Sequence, residues 1–336
     1  MLRERKPLGG WLAQSSQVNW VIMNSKYAVA IIFTLLILVA CGTSVKPTAV
    51  WDPAKTTHTI SASSHLSPLW QRSIYTATDL SGNPCTAING LLFLIGSESA
   101  QSNLHILAID EEGKTKWSQE GNFSLTHSST QLFIGDGHTI ISLAPENGDI
   151  NWSTDLPATG AVIELFYFDN QLFVSASRDP YFVISPNDGK VIAKYSSVVG
   201  FRGDYPHLPF FANVNFQPII LGNEAIFQWG NILYTLERNS ITTNDPVWEI
   251  KQDSISNSTL IGDQLFYVAK DDKLKTINAS TGELLYETTI EPSIDFFNYE
   301  KDVQHAGYYV CSDMENRVLY VILGDSRQLF AFSVAE

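Results

Sequence analysis

Residues 181–195 read YFVISPNDGKVIAKY, and this stretch decides the fold. Four residues favouring strand, Tyr181 to Ile184, run into Ser185-Pro186-Asn187-Asp188-Gly189-Lys190, after which Val191 to Tyr195 form a second strand ending in an aromatic residue. A glycine at the turn supplies a positive φ at little steric cost, so the stretch is a hairpin. The same order recurs as LHILAIDEEGKTKW at 104–117, TIISLAPENGDINW at 139–152 and KLKTINASTGELLYE at 273–287. The turn glycines are Gly113, Gly148, Gly189 and Gly282, and the aromatics that follow are Trp117, Trp152, Tyr195 and Tyr286. A further copy, ILYTLERNSITTNDPVW at 232–248, keeps Trp248 but lacks the glycine and has a longer turn.

Ahead of each hairpin stands an apolar triplet with a central aromatic. The central residues are Phe93, Phe133, Phe173, Phe227, Phe266 and Tyr320, which recur about every 40 residues with two intervals about 14 longer. That is a repeat of four short strands carrying two insertions. The sixth copy stops at RQLFAFSVAE, residues 327–336, with no aromatic strand after it, while an unclaimed one stands at Pro68-Leu69-Trp70-Gln71-Arg72-Ser73-Ile74. A ring whose last unit is completed by the N-terminal strand explains both, because closure removes the exposed sheet edges. The expected fold is all-β, a single β-propeller of six four-stranded blades over residues 67–336. Seven blades would need one hidden in an insertion, which is too short.

The pattern of apolar strand, Asp/Asn-x-x-Gly-Lys/Glu and Trp resembles the repeat of pyrroloquinoline-quinone-type propellers, with Ser185 to Lys190 and Asn278 to Glu283 close to it. It differs from WD40, since Trp117 and Trp152 are followed by Ser and Trp248 by Glu. The resemblance implies two readings. In the larger quinone-dependent dehydrogenases the funnel of the ring holds a cofactor, a calcium ion and a catalytic Asp. A narrower resemblance, in anchor and repeat together, is to the propeller lipoproteins of the outer-membrane barrel-assembly machine, which hold partner proteins.

The N-terminal region carries an address. Tyr27 to Ala40 read YAVAIIFTLLILVA, which as a helix would span about 21 Å, short of a bilayer core but right for a secretory signal. Leu38-Val39-Ala40-Cys41 follows the form of a lipobox and resembles bacterial lipoproteins, implying cleavage before Cys41 and acylation of it. The signal is complete from Met23, so residues 1–22 either lie upstream of the true start or form a long n-region that uses Arg3, Arg5 and Lys6. The expected organisation is a signal region at 1–40, lipidated Cys41 with a Ser/Thr/Pro-rich tether to 66, and the propeller from 67. The chain is therefore expected outside the cytoplasm, on the cell surface or in the periplasm, held to the membrane through Cys41. Cys85 and Cys311 remain as an even pair on the innermost strands of the first and sixth blades, neighbours across the closure. Either a disulfide or two separate buried thiols fits that placement.

With Lys+Arg 21 against Asp+Glu 35, the chain has a net charge of -14 and no basic footprint for nucleic acid. Hydrophobic residues at 44% against 17% charged exclude a disordered chain. No His spacing suits a metal, no nucleophile elbow or phosphate loop occurs, and the acidic turns lack the alternating ligands of a calcium loop. No catalytic residue and no cofactor is assigned on these grounds. Arg202-Gly203-Asp204 is a three-letter motif that chance supplies easily. The distinctive surface chemistry lies in the two insertions: Phe201, Tyr205, Phe210 and Phe211 in one, Phe296, Phe297 and Tyr299 in the other. Both join an outermost strand to the next innermost one, so both open on one face as a candidate surface for a protein or small ligand, unless they tuck in to seal the channel.

Overall fold

The structure, a computed structural model, describes residues 59–76, 84–99, 103–120, 124–157, 162–176, 181–196, 219–229, 232–237, 246–251, 254–271, 273–291, 308–324 and 327–335. The chain divides into two compact units, Met1–Trp51 and Asp52–Glu336, and every described residue belongs to the second. All regular elements among the described residues are strands. Three precede the repeats: β1 (Thr59–Ile60), β2 (Leu66–Ser73) and β3 (Tyr75–Thr76).

Six blades follow, each numbered outward from the channel. Blade 1 is β4 (Cys85–Ile88), β5 (Leu91–Ser97), β6 (His105–Ile109) and β7 (Thr115–Glu120). Blade 2 is β8 (Ser124–His127), β9 (Leu132–Asp136), β10 (Thr139–Leu143) and β11 (Ile150–Asp155). Blade 3 is β12 (Val162–Phe168), β13 (Gln171–Ala176), β14 (Tyr181–Ile184) and β15 (Val191–Tyr195). Blade 4 is β16 (Ile219–Leu221), β17 (Glu224–Trp229), β18 (Ile232–Glu237) and β19 (Trp248–Ile250). Blade 5 is β20 (Ser254–Ile261), β21 (Gln264–Ala269), β22 (Lys273–Asn278) and β23 (Leu284–Glu291). Blade 6 is β24 (Tyr308–Asp313), β25 (Val318–Leu323) and β26 (Gln328–Val334), with β2 as its outermost strand in the order β2-β26-β25-β24. All pairings are antiparallel, and the closing strand runs from Leu66 opposite Val334 to Ser73 opposite Gln328. Pro68 is tolerated there because β2 is an edge and its register shifts between Pro68 and Trp70.

The repeated turn has one construction in blades 2, 3 and 5, and one residue fewer in blade 1, where Gly113 N–H donates to Asp110 O. Gly148 N–H donates to Ala144 O at 2.9 Å and Ala144 N–H to Asp149 O at 2.8 Å, and the same two bonds join Gly189 to Ser185 and Ser185 to Lys190. The four turn glycines have φ between 69° and 78°. Their missing side chain has a second use, since a Cβ on Gly113, Gly148, Gly189 or Gly282 would strike the indole of Trp70, Trp117, Trp152 or Trp248 of the preceding blade. Each of those indoles donates its Nε1–H to a carbonyl of the same turn, at 2.7 Å to Glu111, 2.8 Å to Pro145, 2.8 Å to Pro186 and 3.0 Å to Ala279. The glycine and the tryptophan of the repeat are thus the two halves of a joint between neighbours. Where the fourth copy loses its glycine, the aromatic at the equivalent position of blade 3 is Tyr195 rather than a tryptophan. At the fifth joint no covalent turn exists, and Tyr286 stacks instead on His65, ring centroids 4.3 Å apart, beside the chain end where Ala335 N–H donates to His65 O.

The core lies between blades. Ile88, Phe93 and Ile106 of blade 1 pack on Leu125, Leu132 and Ile134 of blade 2, and Phe266, Val268 and Leu274 of blade 5 on Val310, Leu319 and Val321 of blade 6. At the joint of blades 3 and 4 the described buried side chains form one group around Phe166, Phe173 and Tyr181 and one around Ala225, Phe227 and Leu236, with Ile220 packed against both.

One element lies where the sequence reads as tether. β1 pairs with the outer edge of blade 5, Ile60 opposite Ile290, and Ile60 is buried with the blade 5 and 6 core. The propeller unit therefore takes in chain ahead of residue 67. A single isoleucine in a Ser/Thr run has no periodicity from which a strand could be read.

Candidate functional site

Because strands alternate in direction, the innermost strands of all six blades run the same way round a central channel. Their last residues enclose a cavity of about 580 Å³, lined from every blade: Thr86 of blade 1, His127 of blade 2, Phe166 and Phe168 of blade 3, Ile219 and Ile220 of blade 4, Asn257 to Leu260 of blade 5, and Val310 to Glu315 of blade 6. That volume falls in the range of small-molecule sites. The cavity sits toward the face bearing the turns that follow the innermost strands, with Asn89, Ser129, Met314 and Glu315 in its lining.

Polar residues of the innermost strands tie the closing blades together. Asn257 of β20 donates to Val310 O and accepts from Val310 N–H of β24, both at 2.7 Å, so one amide bridges blades 5 and 6. Next to it, the Thr259 and Ser312 hydroxyls lie 2.7 Å apart, and Ser312 donates to Leu260 O at 2.8 Å. Asp313, almost wholly buried, accepts from Gly90 N–H of blade 1 at 2.7 Å and from the Glu315 and Asn316 amides of its own turn. Across the same joint Cys85 and Cys311 are disulfide-bonded, their Cα atoms 6.1 Å apart. Outside the ring, Arg72 of the closing strand donates to Gly113 O at 2.8 Å and pairs with Glu98 at 2.7 Å, and the hydrogen bonds from Thr115 and then Arg72 hold the Glu98 carboxyl below the ordinary range.

Two titratable groups stand apart. His127 is held below its ordinary pKa by burial, and its Nδ1 lies 2.9 Å from Ser128 O. Glu164 of β12, which by strand alternation shares the face of Phe166 and Phe168, has a buried Oε2 with no hydrogen-bond partner, and burial pushes its carboxyl up to about 8. Neither is marked by spacing in the sequence. The only signal for Glu164 is a lone acid in the apolar run VIELFYF at 162–168.

The other sequence-derived candidates fall differently. Cys41, Phe201, Tyr205, Phe210, Phe211, Phe296, Phe297 and Tyr299 lie outside the described residues. No group of acidic, His or Cys side chains among the described residues is arranged to hold a metal ion. Pyrroloquinoline quinone, which the repeat's name implies, carries several carboxylates and needs cationic partners. Among the described residues the cavity lining contains no Lys or Arg, and its charged members are Asp313 and Glu315. The residues present do not fit that cofactor.

A family model described as outer membrane protein assembly factor BamB matches residues 102–295, more than half of the chain and the run of repeats from blade 1 through blade 5. The chain belongs to this BamB-type family of PQQ-like propellers. No curated protein sequence matches it. Among solved structures, a protein of the mitotic checkpoint complex is 12% identical over 82% of this chain and 98% of that one, with a TM-score of 0.58. The Cps50 (Swd1) propeller domain from Myceliophteria thermophila is 11% identical over 78% and 99%, with a TM-score of 0.51. BamB from Moraxella catarrhalis is 11% identical over 80% and 99%, with a TM-score of 0.46. At such identities the first two likenesses speak to the propeller fold alone.

Proposed function

We propose that the protein is an extracytoplasmic lipoprotein, anchored through Cys41, whose propeller is a non-catalytic scaffold holding partner proteins during assembly of outer-membrane proteins. The observation that carries this reading is the family match across the repeats. The lipobox form of Leu38 to Cys41 supports the anchor, and the two aromatic insertions supply the candidate partner surface. The quinone-enzyme alternative has no observation in its favour, since the described cavity lining lacks the cations that its cofactor requires.

The anchor is tested by metabolic labelling with a radioactive fatty acid. Wild type is expected to incorporate label and partition into membranes, while Cys41→Ser does neither; labelling that survives the substitution removes the anchor from the reading. The scaffold role is tested by in-cell crosslinking and affinity capture from the protein's own host, with the double variant Phe210→Ser/Phe297→Ser beside wild type. Stable capture of an envelope protein that the variant loses, with lower levels of outer-membrane barrels in a deletion strain, is the expected result. Normal barrel levels in the deletion strain would count against it.

A further inference from the structure

The two sides of the central cavity are chemically unlike. On the arc formed by blades 5, 6, 1 and 2 the wall carries hydroxyl, amide and imidazole groups, from Ser258, Ser312, Thr86 and His127 among others, interspersed with Ala87, Ile88, Leu260, Val310 and Met314. Several of these groups are already spent on joints between blades: Asn257 on Val310, Thr259 on Ser312, Asp313 on Gly90. Three are not. The Thr86 and Ser258 hydroxyls and the His127 Nε2 make no hydrogen bond with another described residue, although Thr86 is a buried residue and His127 nearly so. The opposite arc is Phe166 and Phe168 of blade 3, rings parallel within 6° with centroids 5.9 Å apart, flanked by Ile219 and Ile220 of blade 4. Among the described lining residues this wall presents ring and methyl surface and the Tyr167 hydroxyl, which donates to Asn170, and the Glu164 carboxyl stands one position beyond Phe166 on the same face of β12.

We propose that this cavity is a binding site for a short neutral saccharide of one or two rings. A pyranose has a face rich in C–H bonds that lies against aromatic rings and an equator of hydroxyls that pair with protein donors and acceptors, which is the division found between the two arcs. The His127 imidazole, neutral at pH 7 because burial disfavours its charged form, donates Nδ1–H to Ser128 O and so offers Nε2 as an acceptor for a ligand hydroxyl. Charge narrows the class further. With no Lys or Arg among the described lining residues, the charged side chains that an anionic ligand meets there are Asp313 and Glu315. Both Asp313 oxygens already accept N–H bonds, from Gly90 and Asn316 Nδ2 on one and from the Glu315 and Asn316 amides on the other, so a cationic ligand would meet only the exposed Glu315 carboxylate.

The site is separate from the scaffold role and does not rest on it. Its test is saturation-transfer NMR on the mature full chain with maltose, cellobiose and N,N′-diacetylchitobiose at millimolar concentration, and with tetramethylammonium and inorganic phosphate as charged probes. At least one disaccharide is expected to receive saturation, and its affinity to fall roughly tenfold or more in Thr86→Val, a near-isosteric change that keeps the fold, and in Phe168→Ala. Absence of transfer to all three sugars overturns the proposal. So does transfer that survives both variants, or binding of a charged probe that Thr86→Val abolishes while the sugars stay free. A protein that captures its partners and binds no sugar overturns this inference alone.

Discussion

Gly189 and Gly137 both have positive φ, 69° and 58°, yet they do different work. A methyl group on Gly189 would meet Thr154 Oγ1 and come within 2.5 Å of the Trp152 ring, whereas one on Gly137 would meet nothing within 4 Å. Gly137→Ala should therefore cost about 1–2 kcal/mol, the strain of a left-handed backbone alone. Gly189→Ala should cost more, about 3–4 kcal/mol, because the indole of the neighbouring blade must also move. Denaturant midpoints of the two variants check the order, and equal losses would mean that the blade joint is soft. Glu164 gives a prediction in pH. Its folded pKa of about 8 lies above the ordinary carboxyl value, so between the two the unfolded chain releases the proton that the folded chain keeps. Stability is thus full below the unfolded pKa and falls as pH rises through that window, levelling once the folded carboxyl has also ionised near 8. Thermal scans from pH 5 to 8 should show wild type losing stability faster than Glu164→Gln.

At the scale of the element, the joints between blades are the unit of stability, and β2 makes one of them without a covalent turn. A chain beginning at Thr59 retains β1 and β2 and should unfold at the temperature of the full-length protein. One beginning at Tyr75 leaves β26 an unpaired apolar edge, with Phe330 and Phe332 buried only by their neighbours, and should aggregate. Size-exclusion chromatography of the two distinguishes these outcomes. The same scale explains what could be read from residues alone. The three outer strands of each blade repeat because each does the same job against its neighbour: Phe93, Phe133 and Phe266 are equivalent and buried, and Trp70, Trp117, Trp152 and Trp248 share one hydrogen bond. The innermost strands each face a different stretch of channel, so CTAI, SLTH and SISNSTLI share no pattern, and the bridging Asn257, the buried Asp313 and the orphaned Glu164 went unmarked. The short hairpin turns Asn89-Gly90 and Asp169-Asn170, with φ positive at both central residues, were legible in principle from their residue types.

For the whole molecule, the Cys85–Cys311 link spans 226 residues and joins the blades between which the chain's own ends meet. On the chain-entropy account a loop of that length stabilises by up to about 5 kcal/mol. The double variant Cys85→Ala/Cys311→Ala should lose a few kcal/mol in chemical denaturation, and the wild type should show no thiol at these positions after unfolding without reductant. A free-thiol count unchanged by reductant would remove the bridge from the account. In the reduced or substituted protein the first region to exchange its amide hydrogens should be the joint of blades 3 and 4. That is where the tryptophan and the turn glycine are both missing and the described buried side chains form two groups joined through Ile220.

The two-residue strand β1 has a mechanical consequence. A load applied along the polypeptide from its N-terminal side reaches Thr59 and Ile60 on the edge of blade 5 before it reaches β2 on blade 6. The short strand can peel and re-form while the closing strand stays seated, so it works as a sacrificial bond that absorbs a tug before the ring feels it. If β2 were to follow, the covalent link between the innermost strands of blades 1 and 6 would still hold the ring shut, and the strand could find its groove again.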